Sequence, residues 1–273
     1  PITNIISKQL LPVFDKPLIY YSLASLMSFN IREILLISSP RDLPKFKDLF
    51  SDGSDLGINI SYKIQDEPRG IAEAFILGED FIGNDDCALI LGDNIFIGDL
   101  TKYLDPNEVA CKKGATIFGY KVRDPFRYGV ADFTPDGKVI SIEEKPNNPK
   151  SKFAIPGLYF YDSQVKDLVN ELKPSTRGEL EITDLNNKYL EIDQLHLKKL
   201  DSSITWMDAG TPDSLFEASS VVRGIQNRLG KKIACIEEIS LQKGWISNTL
   251  LEKRINLYRD TEYASYLKHL SKR

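Results

Sequence analysis

Two rhythms of apolar and polar positions alternate along the first half of the chain. Ile34–Ser38 and Ile58–Ile64 are β-rich runs, and Ala88–Leu91 is a short apolar run that stops at Gly92. Between them lie amphipathic stretches over Leu18–Phe29, Leu43–Phe50 and Ile71–Ile82. The first of these helices is expected to open at Pro17, because proline fits the first helical position. Ser39-Pro40, Asp52-Gly53, Pro68-Arg69-Gly70 and Gly83-Asn84 mark the loops. This βαβ alternation predicts a parallel sheet covered by helices on both faces.

From Gly114 the pattern turns to strands, over Ala115–Val122, Tyr128–Phe133, Val139–Glu143 and Gly157–Tyr161. Asp136-Gly137 is a hairpin signal between the second and third of them. Helices follow at Ser163–Leu172 and Glu179–Glu191, then strands at Leu195–Leu200 and Ile204–Met207. A long helix is expected over Asp213–Leu229, and the chain from Lys231 onward reads as mostly helical. The expected division is one α/β domain over residues 1–230 and a helical extension over 231–273, with no linker between independent domains.

Composition narrows the classes. The 273 residues carry 35 basic and 39 acidic side chains, well mixed, for a net charge of −4. No basic tract suggests nucleic acid, so an anionic ligand must be met by local positive groups. No apolar run approaches the roughly 18–20 residues of a membrane span. Lys8 and Pro12 interrupt any signal-like apolar start. Cys87, Cys111 and Cys235 are odd in number and have no metal-ligand spacing, so three reduced thiols in a cytoplasm are expected. His196 and His269 have no evident partner and read as structural or surface residues.

Five places carry candidate chemistry. Leu89–Asn94 is an apolar strand ending in Gly92 and Asp93, where a carboxylate can hold Mg²⁺; the plainer reading is a turn aspartate capping Ile95 onward. Trp206–Pro212 repeats the arrangement with Asp208, whose plainer reading is a helix-start or turn residue. Two carboxylates at strand ends suit one Mg²⁺ bridging a triphosphate. Glu143-Glu144-Lys145-Pro146 ends a strand. A lysine before proline is expected to be extended, so Lys145 can reach a sugar phosphate while Glu144 accepts from sugar hydroxyls; the alternative is an exposed ion pair. Arg177, in the loop Lys173–Asp184, offers a planar fork for phosphate, and Ser175 or Thr176 can cap the following helix. Gln65, with both donor and acceptor groups, can read a pyrimidine edge, and Gly70 opens a helix and allows close backbone approach to a base or sugar.

These blocks together resemble, over close to the full length, the short form of the glucose-1-phosphate thymidylyltransferase family. The resemblance is carried by Ser7–Pro17, Gly83–Ala88, Leu91–Phe96, Arg127–Val130, Glu143–Pro146 with Pro149–Ser151, Gly157–Asp162, Lys173–Asn186 and Asp208–Thr211. It implies a Rossmann-like α/β nucleotidyltransferase fold: a mixed, mostly parallel sheet with helices on both faces, inserted sugar-binding strands and a helical C-terminal part. It further implies attack of glucose 1-phosphate on the α-phosphorus of dTTP with Mg²⁺ as cofactor. Lys8 would contact phosphate, Gln65 and Gly70 the thymidine, and Asp93 and Asp208 the metal. Tyr128, Gly129, Glu144 and Tyr159 would line the sugar pocket, and Lys145 and Arg177 would hold the sugar phosphate. The implied assembly is a homotetramer in the cytoplasm, with no nucleic-acid or membrane partner.

The family places a strand and a glycine-rich loop ending in Gly-Thr-Arg-Leu before the segment matched by Ser7–Pro17, and neither stands in this sequence. The resulting expectation is a fragment or shortened gene model lacking roughly 15–20 residues, with little turnover as given. A catalytically inactive sugar-phosphate or nucleotide binder is therefore an alternative, as is a uridylyl- or cytidylyltransferase on the same scaffold. Ile97-Gly98-Asp99 stands where the family often has Tyr-Gly-His, and Arg69 and Glu73 add charge near the expected base pocket. No repeat supports a fused acyltransferase.

Overall fold

The computed structural model describes residues 1–106 and 113–272, so Cys111 lies outside the described residues. The first elements are β1 (Pro12–Val13), β2 (Lys16–Pro17), α1 (Ile19–Ser28), β3 (Glu33–Ser38), α2 (Leu43–Phe50) and β4 (Asn59–Ile64). Next come α3 (Glu73–Leu77), α4 (Glu79–Ile82), β5 (Cys87–Ile90), β6 (Asn94–Ile97) and β7 (Ala115–Lys121). They are followed by β8 (Gly129–Phe133), β9 (Val139–Glu144), β10 (Phe153–Ala154), β11 (Leu158–Tyr161), α5 (Val165–Asn170) and α6 (Ile182–Glu191). The last are β12 (Leu195–Leu200), β13 (Thr205–Asp208), α7 (Pro212–Leu229), α8 (Ile236–Gln242), α9 (Asn248–Tyr258) and α10 (Glu262–Leu270).

Two compact units divide these elements. One comprises Pro1–Tyr62, Gly92–Ile97 and Met207–Arg273; the other comprises Lys63–Leu91 and Gly98–Trp206. In the first unit α1 is buried along most of its length. Leu23 and Met27 join a core with Phe46, Ile58 and Ile236, while Leu18 and Tyr21 join a second core with Ile95, Ala218 and Val222. A third core unites Cys235, Leu251, Ile255, Tyr263 and Leu267 of the C-terminal helices. In the second unit the strands run in the order β5-β11-β7-β10-β8-β9, with β12 also paired to β7. Every residue of β11 is buried, as a strand flanked on both edges and both faces must be. Ile182, Leu185 and Tyr189 of α6 bury one helical stripe against this sheet.

Three departures from the sequence pattern have local causes. The helix expected from Pro17 begins two residues later, at Ile19. Pro12–Pro17 is a tight hairpin, with Val13 paired to Lys16 and the turn residue Phe14 at φ 59°. Proline keeps the preceding Lys16 out of the helical region and so favours the strand. The single helix expected over Ile71–Ile82 is two short ones that meet at Gly78, a poor residue for a helix interior. The sheet of the second unit is mixed as expected, but β12 on β7 is its only parallel pair among the described registers; the others are antiparallel. Short loops join β7 to β8 and β8 to β9, whereas β12 reaches β7 only after α5 and α6. Only a long crossover can bring a strand back parallel.

Candidate functional site

In the first unit Lys8, Asp93 and Asp208 come together. Gly92 is the residue that lets the chain end its strand here, since a Cβ at that position would stand 2.8 Å from Gln9 Cγ. Lys8 Nζ then donates to Asp93 Oδ2 at 2.5 Å, and Asn94 Nδ2 donates to Oδ1 at 3.0 Å. Both partners of the ion pair are largely withdrawn from solvent, which strengthens their attraction over that of a surface pair. β6 pairs with β13, and the Ala209 amide donates to the Asp93 carbonyl at 3.0 Å, so Asp208 stands at the neighbouring strand end. Gly210 gives its carboxylate room: a Cβ there would approach Asp208 Oδ2 to 3.1 Å.

The plainer reading of Asp93 holds in part, since the residue stands in a turn. Asn94–Ile97 is a strand, so Asp93 caps no helix. The cap of α7 is Thr211, whose hydroxyl accepts from the Ser214 amide at 3.1 Å in a reciprocal capping box. Among the described residues no three His, Cys, Asp or Glu side chains converge as a self-sufficient metal site. Two carboxylates at neighbouring strand ends offer hard oxygen donors, the kind that suits a divalent cation completing its shell with water and phosphate oxygens.

In the second unit Gly70, Gly129, Glu144 and Arg177 each meet a residue of the segment 180–183. Gly129 faces Glu144 in the β8–β9 ladder, and Glu144 Oε2 accepts from Thr183 Oγ1 at 2.6 Å. The Lys145 amide donates to the Tyr128 carbonyl at 3.0 Å, and the Tyr128 ring meets Trp206 edge-on at 5.1 Å. Lys145 is not extended as expected. Its φ is +43°, a left-handed value that is strained for a residue with a side chain. The bend at the end of β9 overrides the preference imposed by Pro146, and leaves the Lys145 side chain 53% exposed and 3.8 Å from Glu144 Oε1. Tyr159 is buried in β11 and stacks on Tyr161 at 6.2 Å.

Arg177 is held by a residue that the sequence pattern did not single out. Its Nη2 donates to both Glu181 oxygens at 2.8 Å, and Ser175 Oγ donates to Oε1 at 2.7 Å. The hydrogen bonds that Arg177 donates to Glu181 push the guanidinium pKa above its ordinary value. Ser175 and Thr176 do not cap the helix: α6 starts at Ile182 with Glu181 in the capping position and no side-chain cap bond. The loop instead closes on itself, with the Gly178 amide donating to the Ser175 carbonyl at 2.8 Å.

Gln65 and Gly70 share a second knot. Gln65 Nε2 donates to Glu73 Oε2 at 2.7 Å, and Arg69 Nε donates to Glu73 Oε1 at 2.7 Å. Gly70 has φ +109°, and a Cβ there would lie 2.3 Å from the Leu180 carbonyl oxygen. Its lack of a side chain is used by the chain's own backbone, in the same loop that carries Arg177. Gly70→Ala is therefore expected to cost about 1–3 kcal/mol from backbone conformation alone, with a further cost from the clash. A lowered denaturant midpoint checks this, and an unchanged midpoint would show that the 69–72 segment moves away freely.

Comparisons with known proteins cover most or all of the chain. The nucleotidyl transferase family model matches residues 1–224. A Neisseria meningitidis protein named glucose-1-phosphate thymidylyltransferase is 49% identical over 273 residues, covering 100% of this chain and 95% of that one. A protein of the same name from Mycobacterium tuberculosis is 45% identical, covering 100% and 94%. A solved Bacillus anthracis structure, provisionally given the same name and in complex with a sucrose, superposes with a TM-score of 0.76 at 42% identity, covering 82% of this chain and 89% of that one. A UDP-glucose pyrophosphorylase structure, at 24% identity and a TM-score of 0.72 over 82% of this chain and 93% of that one, supports the fold alone. No helix among the described residues is long and apolar enough to cross a membrane.

Proposed function

The chain belongs to the nucleotidyl transferase family, and from that premise we propose that it transfers the thymidylyl group of dTTP to glucose 1-phosphate, giving dTDP-glucose and pyrophosphate. The observation that carries this reading is 45–49% identity, over essentially the whole chain, to enzymes named for that activity. A phosphate oxygen of glucose 1-phosphate attacks the α-phosphorus of dTTP; the new O–P bond forms as the bond to the β-phosphate breaks, and pyrophosphate leaves. The nucleophile is already an anion, so no strong base is required. Alignment and charge neutralisation supply the rate.

In this reading Lys8 meets the triphosphate, and Asp93 and Asp208 hold Mg²⁺, which when bound offsets the negative charge of the phosphates. Gln65 and Gly70 contact the thymidine. Tyr128, Gly129, Glu144 and Tyr159 line the sugar pocket, and Lys145 and Arg177 hold the sugar phosphate. Residues 1–230 form the nucleotidyltransferase domain and 231–273 its helical extension, consistent with a family match that stops at residue 224. A cytoplasmic homo-oligomer, tetrameric by family resemblance, with reduced cysteines and no nucleic-acid or membrane partner belongs to the same reading; Cys87 and Cys235 are free thiols.

The test is Mg²⁺-dependent pyrophosphate release from dTTP and glucose 1-phosphate, set against UTP, dCTP and other hexose 1-phosphates. Preference for dTTP and glucose 1-phosphate is expected, and faster turnover of another pair would reassign the activity. Arg177→Lys is expected to raise KM for glucose 1-phosphate about tenfold and change kcat much less, because an ammonium replaces a two-pronged fork by a point charge. Equal KM values would remove Arg177 from the sugar-phosphate site.

A further inference from the structure

Glu73 is a carboxylate of 6% exposure at the first residue of α3, and both its oxygens are engaged. Oε2 accepts from Gln65 and Oε1 from Arg69, each at 2.7 Å. The other neighbour of Gln65 Nε2 is the Gly70 carbonyl oxygen, at 3.4 Å. An ionised carboxylate and a carbonyl can only accept. A flipped Gln65 amide would set its own oxygen against a carboxylate oxygen with no proton between them, so the amide has one permitted orientation. That orientation spends the donor end on the protein and leaves Oε1 over. Among the described residues no hydrogen bond reaches Gln65 Oε1.

We propose that Glu73 is a positioning residue that makes Gln65 a dedicated hydrogen-bond acceptor, and that this arrangement selects pyrimidines with a proton on ring N3, thymine and uracil, over cytosine. The inference rests on the reading of Gln65 as a base contact given above. Thymine N3–H donates to Gln65 Oε1. Cytosine N3 carries a lone pair and would face that oxygen acceptor to acceptor, leaving two polar groups unsatisfied. Arg69 secures the device: its cation claims one Glu73 oxygen and holds the carboxylate in place for Gln65.

Arg69 also decides what Glu73→Gln does. A glutamine at 73 has one carbonyl oxygen, and the Arg69 cation takes it. The amide NH₂ of residue 73 then points at Gln65 and forces that side chain to turn over, presenting its own NH₂ to the base. Removing the cation as well, in Arg69→Ala with Glu73→Gln, lets residue 73 turn its oxygen back to Gln65.

The experiment is calorimetric titration of dTTP and dCTP into the wild-type protein, E73Q and R69A/E73Q, with pyrophosphate release measured alongside. The wild type is expected to bind dTTP at least about tenfold more tightly than dCTP, the worth of one hydrogen bond made against one left unmade. E73Q is expected to bring that ratio to one or invert it, and R69A/E73Q to regain most of it. A wild type that binds the two nucleotides equally overturns the proposal. So does an E73Q with the wild-type ratio, or one that weakens both nucleotides by the same factor, as a merely structural residue would. The expected binding pattern without pyrophosphate release would uphold Glu73 and sink the proposed reaction.

Discussion

Asp93→Asn is expected to lower kcat for dTDP-glucose formation by about a hundredfold to a thousandfold, the usual loss when a group aligned on developing charge is removed. The asparagine keeps the size and shape of the side chain, so the β6 strand end and its hydrogen bond from the Ala209 amide are retained. What disappears is the negative charge 2.5 Å from Lys8 Nζ. Lys8 loses the partner that fixes its direction, and the oxygen pair formed with Asp208 drops from two charges to one, which weakens its hold on a hard divalent cation. KM for glucose 1-phosphate is expected to stay within about threefold, because the groups proposed to bind that substrate are elsewhere in the sequence. Steady-state pyrophosphate release over a Mg²⁺ titration separates these effects. A kcat within tenfold of wild type at saturating Mg²⁺ would mean that Asp93 has only a structural role.

Glu237→Ala is expected to cost about 3–5 kcal/mol of stability, the penalty for stranding the partner of a buried ion pair. The Glu237 side chain has 0% exposure and that of Arg254 has 7%. Glu237 Oε1 accepts from Arg254 Nη2 at 2.8 Å and from Tyr258 OH at 2.6 Å, while Oε2 accepts from Tyr263 OH at 2.7 Å. One carboxylate thus ties together α8, α9 and α10. Burial is the largest single influence on Arg254 and would lower its pKa, but the charge of Glu237, the Tyr258 and Tyr20 phenols and the hydrogen bond to Glu237 together outweigh it and hold the guanidinium above its ordinary value. Burial, with that same charge, also pushes the Tyr258 and Tyr263 phenols up, so they stay neutral donors. Alanine leaves a buried cation and two buried hydroxyls without their acceptor. For a chain of this size the melting temperature should fall by on the order of 10 °C. Lys138→Ala, which breaks a surface pair with Asp193, serves as the control and should leave melting almost unchanged. Melting of E237A at the wild-type temperature would show that water enters this cluster freely.

The placement of Asp93 and Asp208 at neighbouring strand ends was partly legible from the sequence. Asp93 and Asp208 stand out because each closes an apolar strand run, the place where ligands meet an open α/β sheet. α2 over Leu43–Phe50 and β12 over Leu195–Leu200 were read to the residue, since their apolar spacing is internal to the segment. Pro212 marked the start of α7 because a missing amide proton costs nothing there. Strand direction was less legible: the pattern suggested a mixed, mostly parallel sheet with one hairpin at Asp136-Gly137, whereas every described pair in the sheet of the second unit except β12 with β7 is antiparallel.

Everything that depends on which segment meets which was decided by the tertiary structure. Arg177 read as a free phosphate fork, yet Glu181 holds it. Gly70 read as room for a ligand, yet Leu180, 110 residues later, occupies that space. Lys145 read as extended from its proline neighbour, yet the turn out of β9 sets φ at +43°. Gln65 read as donor and acceptor alike, yet Glu73 leaves it only an acceptor. The amino-acid sequence by itself determined where most of the longer helices and strands lie and which side chains carry charge, because periodicity and composition act within a few residues. The orientation and remaining hydrogen-bonding capacity of those side chains came only with the fold, because a polar group's partners are chosen by proximity in space.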